Sequence, residues 1–448
     1  MPPLFCAYVF FPMAAYPQVI GAGVDLGRPK HIVIVGGSLG GLFTGVALKQ
    51  HGFDTTILER NPTNLLENQG AGIVAGGDTL AFFDRYDRCK RPVAVESQKR
   101  VYLDKSGQIV HEEVMKQTMT SWDLCYYMLR ANYDHQESGY CQAAGPQPGD
   151  GKIDYRYGCI VTDFKKEGET VTVFYTNAQG ENQSIKCDFL VGADGPSSTI
   201  RKILCPDVER KYAGYCVIRG TVPEEEASDQ AKEVFVERFT FFHAPGIRNL
   251  TYTIPGINGA MEKGKRLLNF VWYTNFSEGS EELELVMTDK SAKRKRITIP
   301  PGTMTDEAWE MVKKRGRDRL PPQMSEMVEK TKQPFVQCIT DVITPTNSFM
   351  DGKVVLIGDA LAGFRPHTVA STGQAAFDVL MLVECLKTGD HKEFARRTVE
   401  FARLIQHRGM YIGNRGQFES LPLKEYIEDR NMMSILREDL DFPAWTQV

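Results

Sequence analysis

Residues 31–59 constrain the chain more than any other stretch. "KHIVIVGG" is a short β-branched apolar run closed by glycines, which reads as a fully buried strand. "LGGLFTGVALKQHG" follows with apolar residues at helical spacing (Leu42, Val46, Leu48) and stops at Gly52. "FDTTILER" reads as a second strand. A strand, a glycine turn, a helix and a strand in this order form a βαβ unit, and a parallel α/β sheet is the expected fold class.

The turn itself carries chemistry. On the pattern G-x-G-x-x-G it supplies Gly36, Ser38 and Gly41, with Leu39 at the helix start and the acid Glu59 about 20 residues beyond. Gly36 permits the tight turn and Gly41 lets helix and strand approach. A pyrophosphate would rest on the helix N-terminus. Serine in place of the middle glycine is small enough to keep that approach, and its hydroxyl can donate to phosphate. Glu59 is placed to accept from ribose hydroxyls, and Arg60 to cover adenine or reach phosphate. A glycine-rich turn that binds nothing is the competing reading, which the ordered strand–turn–helix–strand–acid context disfavours. The motif alone leaves NAD and FAD both open.

Two further segments repeat the theme of a buried strand ending in an acid. "CDFLVGADGPSSTIRK" (187–202) ends its apolar run in Asp194, and "VVLIGDA" within 352–386 ends in Asp359 before a loop through Pro366 and a helix from about Ser371. Each aspartate could equally be a helix N-cap. Arg130, in "TSWDLCYYMLRANYD" (120–134), could be an ordinary ion-paired helix residue.

Taken together, the fingerprint, the D-G motif and the G-D motif resemble those of the class A flavoprotein aromatic hydroxylases, the p-hydroxybenzoate hydroxylase type, over roughly residues 30–385. The phrases "YAGYCVIRGTVPE", "LLNFVWYTNF" and "FRPHTVASTGQAA" are similar to the 2,6-dihydroxypyridine 3-monooxygenase branch, to which "GGSLGGL" also suits. The resemblance implies FAD as the nucleotide and NADPH or NADH as co-substrate. It further implies transfer of oxygen from O₂ to an electron-rich ring through a C4a-hydroperoxyflavin. Asp359 would accept from the ribityl chain, and Arg130 and Asp194 would lie near the phosphates. Thr372 and Gly373 would start the helix that faces the flavin ring, and Gly72 and Ile73 would line its other edge. Departures are Gly70, where an arginine stands in p-hydroxybenzoate hydroxylase, and Thr368 and Ser371, where glycines are usual.

The implied architecture is a Rossmann-like FAD-binding domain, an antiparallel β-sheet substrate domain and C-terminal helices. Its boundaries are an extension at 1–29, FAD domain at 30–211 and 336–390, substrate sheet at 212–335 and a helical end at 391–448. From 212 to about 300 the text alternates in the manner of strands, offering Arg219, His243, Tyr252, Trp272 and Tyr273 as pocket candidates, each also able to be plain core. His367 and His243 are the candidate acid/base groups, because imidazole has a suitable ordinary pKa. "KRKR" (293–296) reads as a solvated turn more readily than as a site for the NADPH 2′-phosphate.

Composition removes other classes. A net charge of −4 over 448 residues argues for no nucleic-acid partner. Ten scattered cysteines with no C-x-x-C pair argue against a metal site and for a reducing, cytoplasmic setting. The apolar opening, broken by Pro12 and Pro17, gives no firm membrane signal and reads as an extension on the body. Partners are then a small aromatic substrate and O₂, with a homodimer left open. An epoxidase or rearrangement enzyme on the same fold, and a flavin-binding protein without turnover, are the rival functions.

Overall fold

The computed structural model describes residues 29–63 and 72–433. The extension before residue 29, Gly70 and the last residues lie outside that range.

The 31–35 run forms the centre of a six-stranded sheet. Its side chains are sealed on both faces, with Ile32, Val33 and Ile34 fully inaccessible, as a strand covered by helices on each side requires. His31–Val35 pairs in parallel with Asp54–Leu58 on one side and Phe189–Gly192 on the other. Ile153–Arg156 extends one edge. Val354–Leu356 extends the other in parallel, and Ser348–Phe349 closes it antiparallel. The strands that carry Gly36, Asp194 and Asp359 therefore lie side by side and end at the same edge, where ligands of open α/β sheets bind.

A ten-stranded sheet forms the second body. Its path runs Thr298–Ile299, Phe335–Ile343, Lys211–Pro223, Leu267–Asn275, Ile247–Ile254, Arg238–Ala244, Val95–Leu103, Ile109–Ser121 and Gly72–Val74, with Ala362–Gly363 attached to Phe335–Ile343. The alternating text at 212–300 thus accounts for only part of this sheet. Residues 72–121 supply three of its strands, and Arg238–Ala244 pairs with Val95–Leu103 in parallel. Separate apolar clusters cover its two faces. One contains Cys216, Ile218 and Trp272, and the other Val217, Tyr252 and Tyr273.

A three-stranded sheet (Ile160–Glu167, Thr170–Thr176, Asn182–Cys187) stands beside the first. The 28-residue helix His391–Phe418 and the helix Leu423–Met433 close the end of the chain. Among the described residues no helix is long and apolar enough to cross a membrane. The "KRKR" segment holds two local ion pairs, Arg294 with Glu284 and Lys295 with Asp289.

Candidate active site

A cleft of about 1080 Å³ opens where the ends of the parallel strands meet the large sheet. Small-ligand sites span roughly 300–1,000 Å³, so this one has room for a dinucleotide together with a ring.

The glycine turn forms one wall. Gly36 has φ +103°, and a Cβ there would stand 2.4 Å from the Ala193 carbonyl oxygen, so no other residue fits. Gly41 is inside the turn, where a Cβ would fall 1.8 Å from the Gly36 oxygen. Glu59 is 4% exposed. Its Oε2 accepts the Gly37 N–H at 2.7 Å and its Oε1 the Asn61 N–H at 2.9 Å. The Tyr155 hydroxyl donates to the Gly37 carbonyl at 2.9 Å. Gly37 and Tyr155 are thus structural partners of the turn that the fingerprint does not name. Ser38 precedes the helix Leu39–Gln50 without capping it through its side chain. Ser38, Leu39, Glu59 and Arg60 all line the cleft. An open helix N-terminus with a spare hydroxyl suits a pyrophosphate.

Asp194 and Asp359 sit on the adjoining wall and differ in their bonding. Asp194 accepts from the Ser198 hydroxyl at 2.5 Å and from the Thr199 and Ile200 amides at 2.6 and 3.2 Å. It thus takes two first-turn amides of the short helix Thr199–Leu204, whose N-cap is Ser198, while also lining the cleft. Burial raises its pKa, and those hydrogen bonds oppose the rise. Asp359 has no side-chain hydrogen bond among the described residues. Burial lifts its carboxyl to about 6, against the pull of Arg210 and Arg201. Arg201 joins the two motifs, donating to the Asp359 and Ala360 carbonyls at 3.1 and 2.8 Å and to the Pro196 carbonyl at 2.5 Å.

The helix Ser371–Thr388 begins at the cleft with Ala370 as its N-cap and no capping side chain. Ser371 and Thr372 line the cleft. At Gly373 a Cβ would meet nothing within 4 Å. First-turn amides left open in this way favour a negative ligand atom.

The large sheet supplies the opposite wall, and its period of two decides which residues face in. Val217 and Arg219, Leu250 and Tyr252, and Val271 and Tyr273 line the cleft. Trp272 points to the other face, is fully buried, and packs beside Gly316 of the helix Asp306–Arg319. Arg219 Nη2 donates to the Gly72 carbonyl at 2.8 Å, and its Nε is buried with no hydrogen-bond partner. The Gly72 N–H donates to Asn269 Oδ1 at 3.0 Å, leaving Asn269 Nδ2 buried and unbonded. The Gly72 peptide, beside Ile73, is held on both sides. Asn269 had no motif to reveal it.

Three other candidates stand off the cleft. Arg130 is one layer behind the turn: it forms an ion pair with Asp134 at 2.6 Å and donates to the Tyr126 and Tyr157 hydroxyls at 2.7 and 2.6 Å. Its guanidinium also lies 3.9 Å from the centre of the Tyr155 ring, so it braces the residue that braces Gly37. His367 Nε2 and Tyr215 Oη are 2.7 Å apart, and the imidazole lies behind Tyr273 with ring centres 4.5 Å apart. Burial lowers its pKa well below the usual value, and Arg248, Arg365 and Arg430 push the same way. His243 stacks flat on Tyr426 at 4.1 Å, with its pKa lowered to about 4 by burial and by Arg248.

Comparison with known proteins bears on the fold. A family model described as FAD binding domain-like matches residues 212–341. The 2,6-dihydroxypyridine 3-monooxygenase of Paenarthrobacter nicotinovorans is 27% identical over 79% of this chain and 82% of its own length. The 3-hydroxybenzoate 6-hydroxylase 1 of Aquipseudomonas alcaligenes is 22% identical, covering 82% of this chain and 86% of that protein. The solved 2,6-dihydroxypyridine-3-hydroxylase from Arthrobacter nicotinovorans superposes with a TM-score of 0.76 at 25% identity, over 88% of this chain and 94% of that one. Three strand ends meeting at one cleft, an open helix start and these likenesses lead to one statement: the chain has the fold of the class A FAD-dependent aromatic hydroxylases.

Proposed function

We propose that the protein is a single-component FAD-dependent monooxygenase that uses NAD(P)H and O₂ to hydroxylate an electron-rich hydroxypyridine or phenol. The observation that carries this reading is the continuity of the cleft. Ser38, Asp359 and the Ser371–Thr388 helix start share one space with the Arg219, Tyr252 and Tyr273 wall.

The residues suit FAD. Ser38 and the Leu39–Gln50 amides would hold its pyrophosphate, Glu59 or Arg60 its adenosine end, and Asp359 its sugar-chain hydroxyls. The open amides of Ser371–Gly373 would receive the electron-rich edge of its ring. The chemistry that bound FAD supplies is acceptance of a hydride from NAD(P)H and activation of O₂.

The chain's own task at the ring is to bind, orient and polarise. Tyr252, Tyr273 and Phe335 offer aromatic faces. Arg219 meets no carboxylate among the described residues, so its charge is available to an oxygen of the substrate. A cation in a partly dry pocket favours loss of a proton from a ring hydroxyl, which makes the ring more electron-rich. His367 is shielded by Tyr273 and neutral. Its part is to hold the wall through Tyr215 rather than to take the proton itself.

The test is direct. Protein incubated with FAD is gel-filtered, its visible spectrum is recorded, and NADH or NADPH oxidation is followed with 2,6-dihydroxypyridine, other hydroxypyridines and phenols. A retained flavin spectrum and a product heavier by one oxygen are expected. A colourless protein, or nucleotide oxidation with no oxygenated product from any ring, would reject the proposal.

A further inference from the structure

Cys216 and Cys338 face each other across the antiparallel pair formed by Lys211–Pro223 and Phe335–Ile343. Their sulfurs are 3.8 Å apart. The Cys338 N–H donates at 2.8 Å to the carbonyl of Ile297, on the opposite side from Cys216. Since the N–H and C=O of one strand residue point the same way, Cys216 and Cys338 form a pair without mutual backbone bonds. In such pairs the Cα atoms approach to about 4.5 Å, inside the span of about 4.4–6.8 Å that a disulfide requires. The register shifts between Tyr212 and Cys216, where Gly214 has φ +87°. An irregular ladder of this kind leaves the strand room to adjust.

The two sulfurs are chemically unequal. Both lie in the apolar cluster with Trp272, Cys338 at 4% exposure where it borders the cleft and Cys216 fully buried. The Cys216 thiol donates to Cys338, and Arg294 and Arg210 lie beside Cys338. These contacts lower the Cys338 pKa and raise that of Cys216. At Cys125 and Cys187 burial outweighs the hydrogen bonds that oppose it and pushes the thiol up to about 12. A thiol favoured as its anion, at the border of a cleft and backed by a second thiol in reach, is suited to stepwise oxidation by a peroxide small enough to reach it.

We propose that Cys338 and Cys216 are a site of oxidation by hydrogen peroxide, closing to a disulfide that ties together the two strands flanking the cleft. The Cys338 thiolate attacks one peroxide oxygen. An S–O bond forms, the O–O bond breaks, and the departing hydroxide takes a proton to become water. Cys338 is then a sulfenic acid and the peroxide is reduced. Cys216 attacks that sulfur next, so the S–S bond forms and the S–O bond breaks. The second hydroxide leaves with the Cys216 proton as water. Two thiols and one peroxide thus give one disulfide and two waters. The crosslink fixes the spacing between Val217 and Arg219 on one strand and Gln337 and Ile339 on the other, all of which line the cleft.

The experiment uses the native full chain. It is treated with hydrogen peroxide, blocked with an alkylating agent, digested without reductant and mapped by mass spectrometry. A linked Cys216–Cys338 peptide that disappears with dithiothreitol is expected. Cys216→Ser should strand the reaction one step earlier, with Cys338 captured by dimedone as its sulfenic acid. Two results would overturn the proposal: both cysteines recovered alkylated as free thiols after unfolding, or Cys338 driven to sulfinic acid in the wild-type chain with no linkage. The wild-type map decides the matter even if a serine variant fails to fold.

Discussion

Tyr215 Oη and His367 Nε2 are hydrogen-bonded at 2.7 Å in a space that the helix His391–Phe418 leaves no wider than it must be. A Cβ at Gly413 would lie 2.6 Å from the hydroxyl and 2.9 Å from His367 Cδ2. The imidazole is therefore fixed, dry and neutral. In the unfolded chain it takes up a proton below about pH 6.5, and in the folded chain it does not. Its contribution to stability is present above pH 6.5 and is lost on acidification at ~1.4 kcal/mol per pH unit. His367→Phe leaves the Tyr215 hydroxyl buried without its partner and should cost about 1–3 kcal/mol at pH 8. Urea unfolding should find the gap between wild type and variant narrowing from pH 6.5 to 5. A gap that stays constant over that range would mean the folded imidazole is protonated.

Asp359 carries the opposite sign in the free protein, because burial raises it to about 6. If its carboxylate accepts from FAD hydroxyls, affinity should be highest above pH 6 and fall below it. Asp359→Ala should weaken FAD binding at pH 8 at least tenfold, or about 1.4 kcal/mol. Asp359→Asn should flatten the pH dependence. Fluorescence titration of FAD across roughly pH 5–8, which brackets the raised carboxyl but stays above its usual value, measures both. Unchanged affinity in Asp359→Ala would remove this residue from the site.

At the turn, Gly37→Ala places a methyl 2.1 Å from Tyr155 Oη. The turn must open or the tyrosine must leave, at about 1–3 kcal/mol, and flavin retention should fall with it. Ser38→Ala removes one hydroxyl and should weaken FAD by about 0.5–1.5 kcal/mol without changing the melting temperature of the flavin-free protein. Equal losses in the two variants would contradict the separate roles given to these neighbours.

Trp272 and Tyr273 offer a test of the sheet's register. Trp272→Ala should cost about 3–5 kcal/mol of stability and leave KM for the ring substrate unchanged in the folded fraction. Tyr273→Ala should raise KM while costing no more. Arg219→Gln should raise KM at least tenfold, about 1.4 kcal/mol, with the flavin spectrum intact. Chemical denaturation and steady-state kinetics on the same preparations separate the two effects.

Gly36, Asp194 and Asp359 were legible in the chain because each ends a short run of buried β-branched residues, a pattern whose geometry is local. Arg130 was legible as a helix residue in a telling phrase, but not as a brace one layer back. That depends on Tyr155, which arrives from a different strand. Alternation says that only one of Trp272 and Tyr273 can face the cleft, and it does not say which. The choice is made by pairing with Val217 and Arg248 on neighbouring strands. Asn269 and Gln337 carry no motif, and they reach the cleft region only through sheet register. The recruitment of residues 72–121 into the large sheet was hidden for the same reason: strand partners distant in sequence leave no periodic trace.

The guanidinium of Arg201 spans loops that lie 158 positions apart in the chain, and its consequence is temporal. During synthesis, at roughly 5–20 residues per second, Arg201 must wait on the order of ten to thirty seconds before Asp359 and Ala360 leave the ribosome. Until then the parallel sheet lacks its Val354–Leu356 edge and a buried cation lacks two of its carbonyl acceptors. If the Asp359 segment serves the proposed coenzyme site, capture waits until most of the polypeptide has been made, and a product truncated before residue 354 should fail to retain flavin.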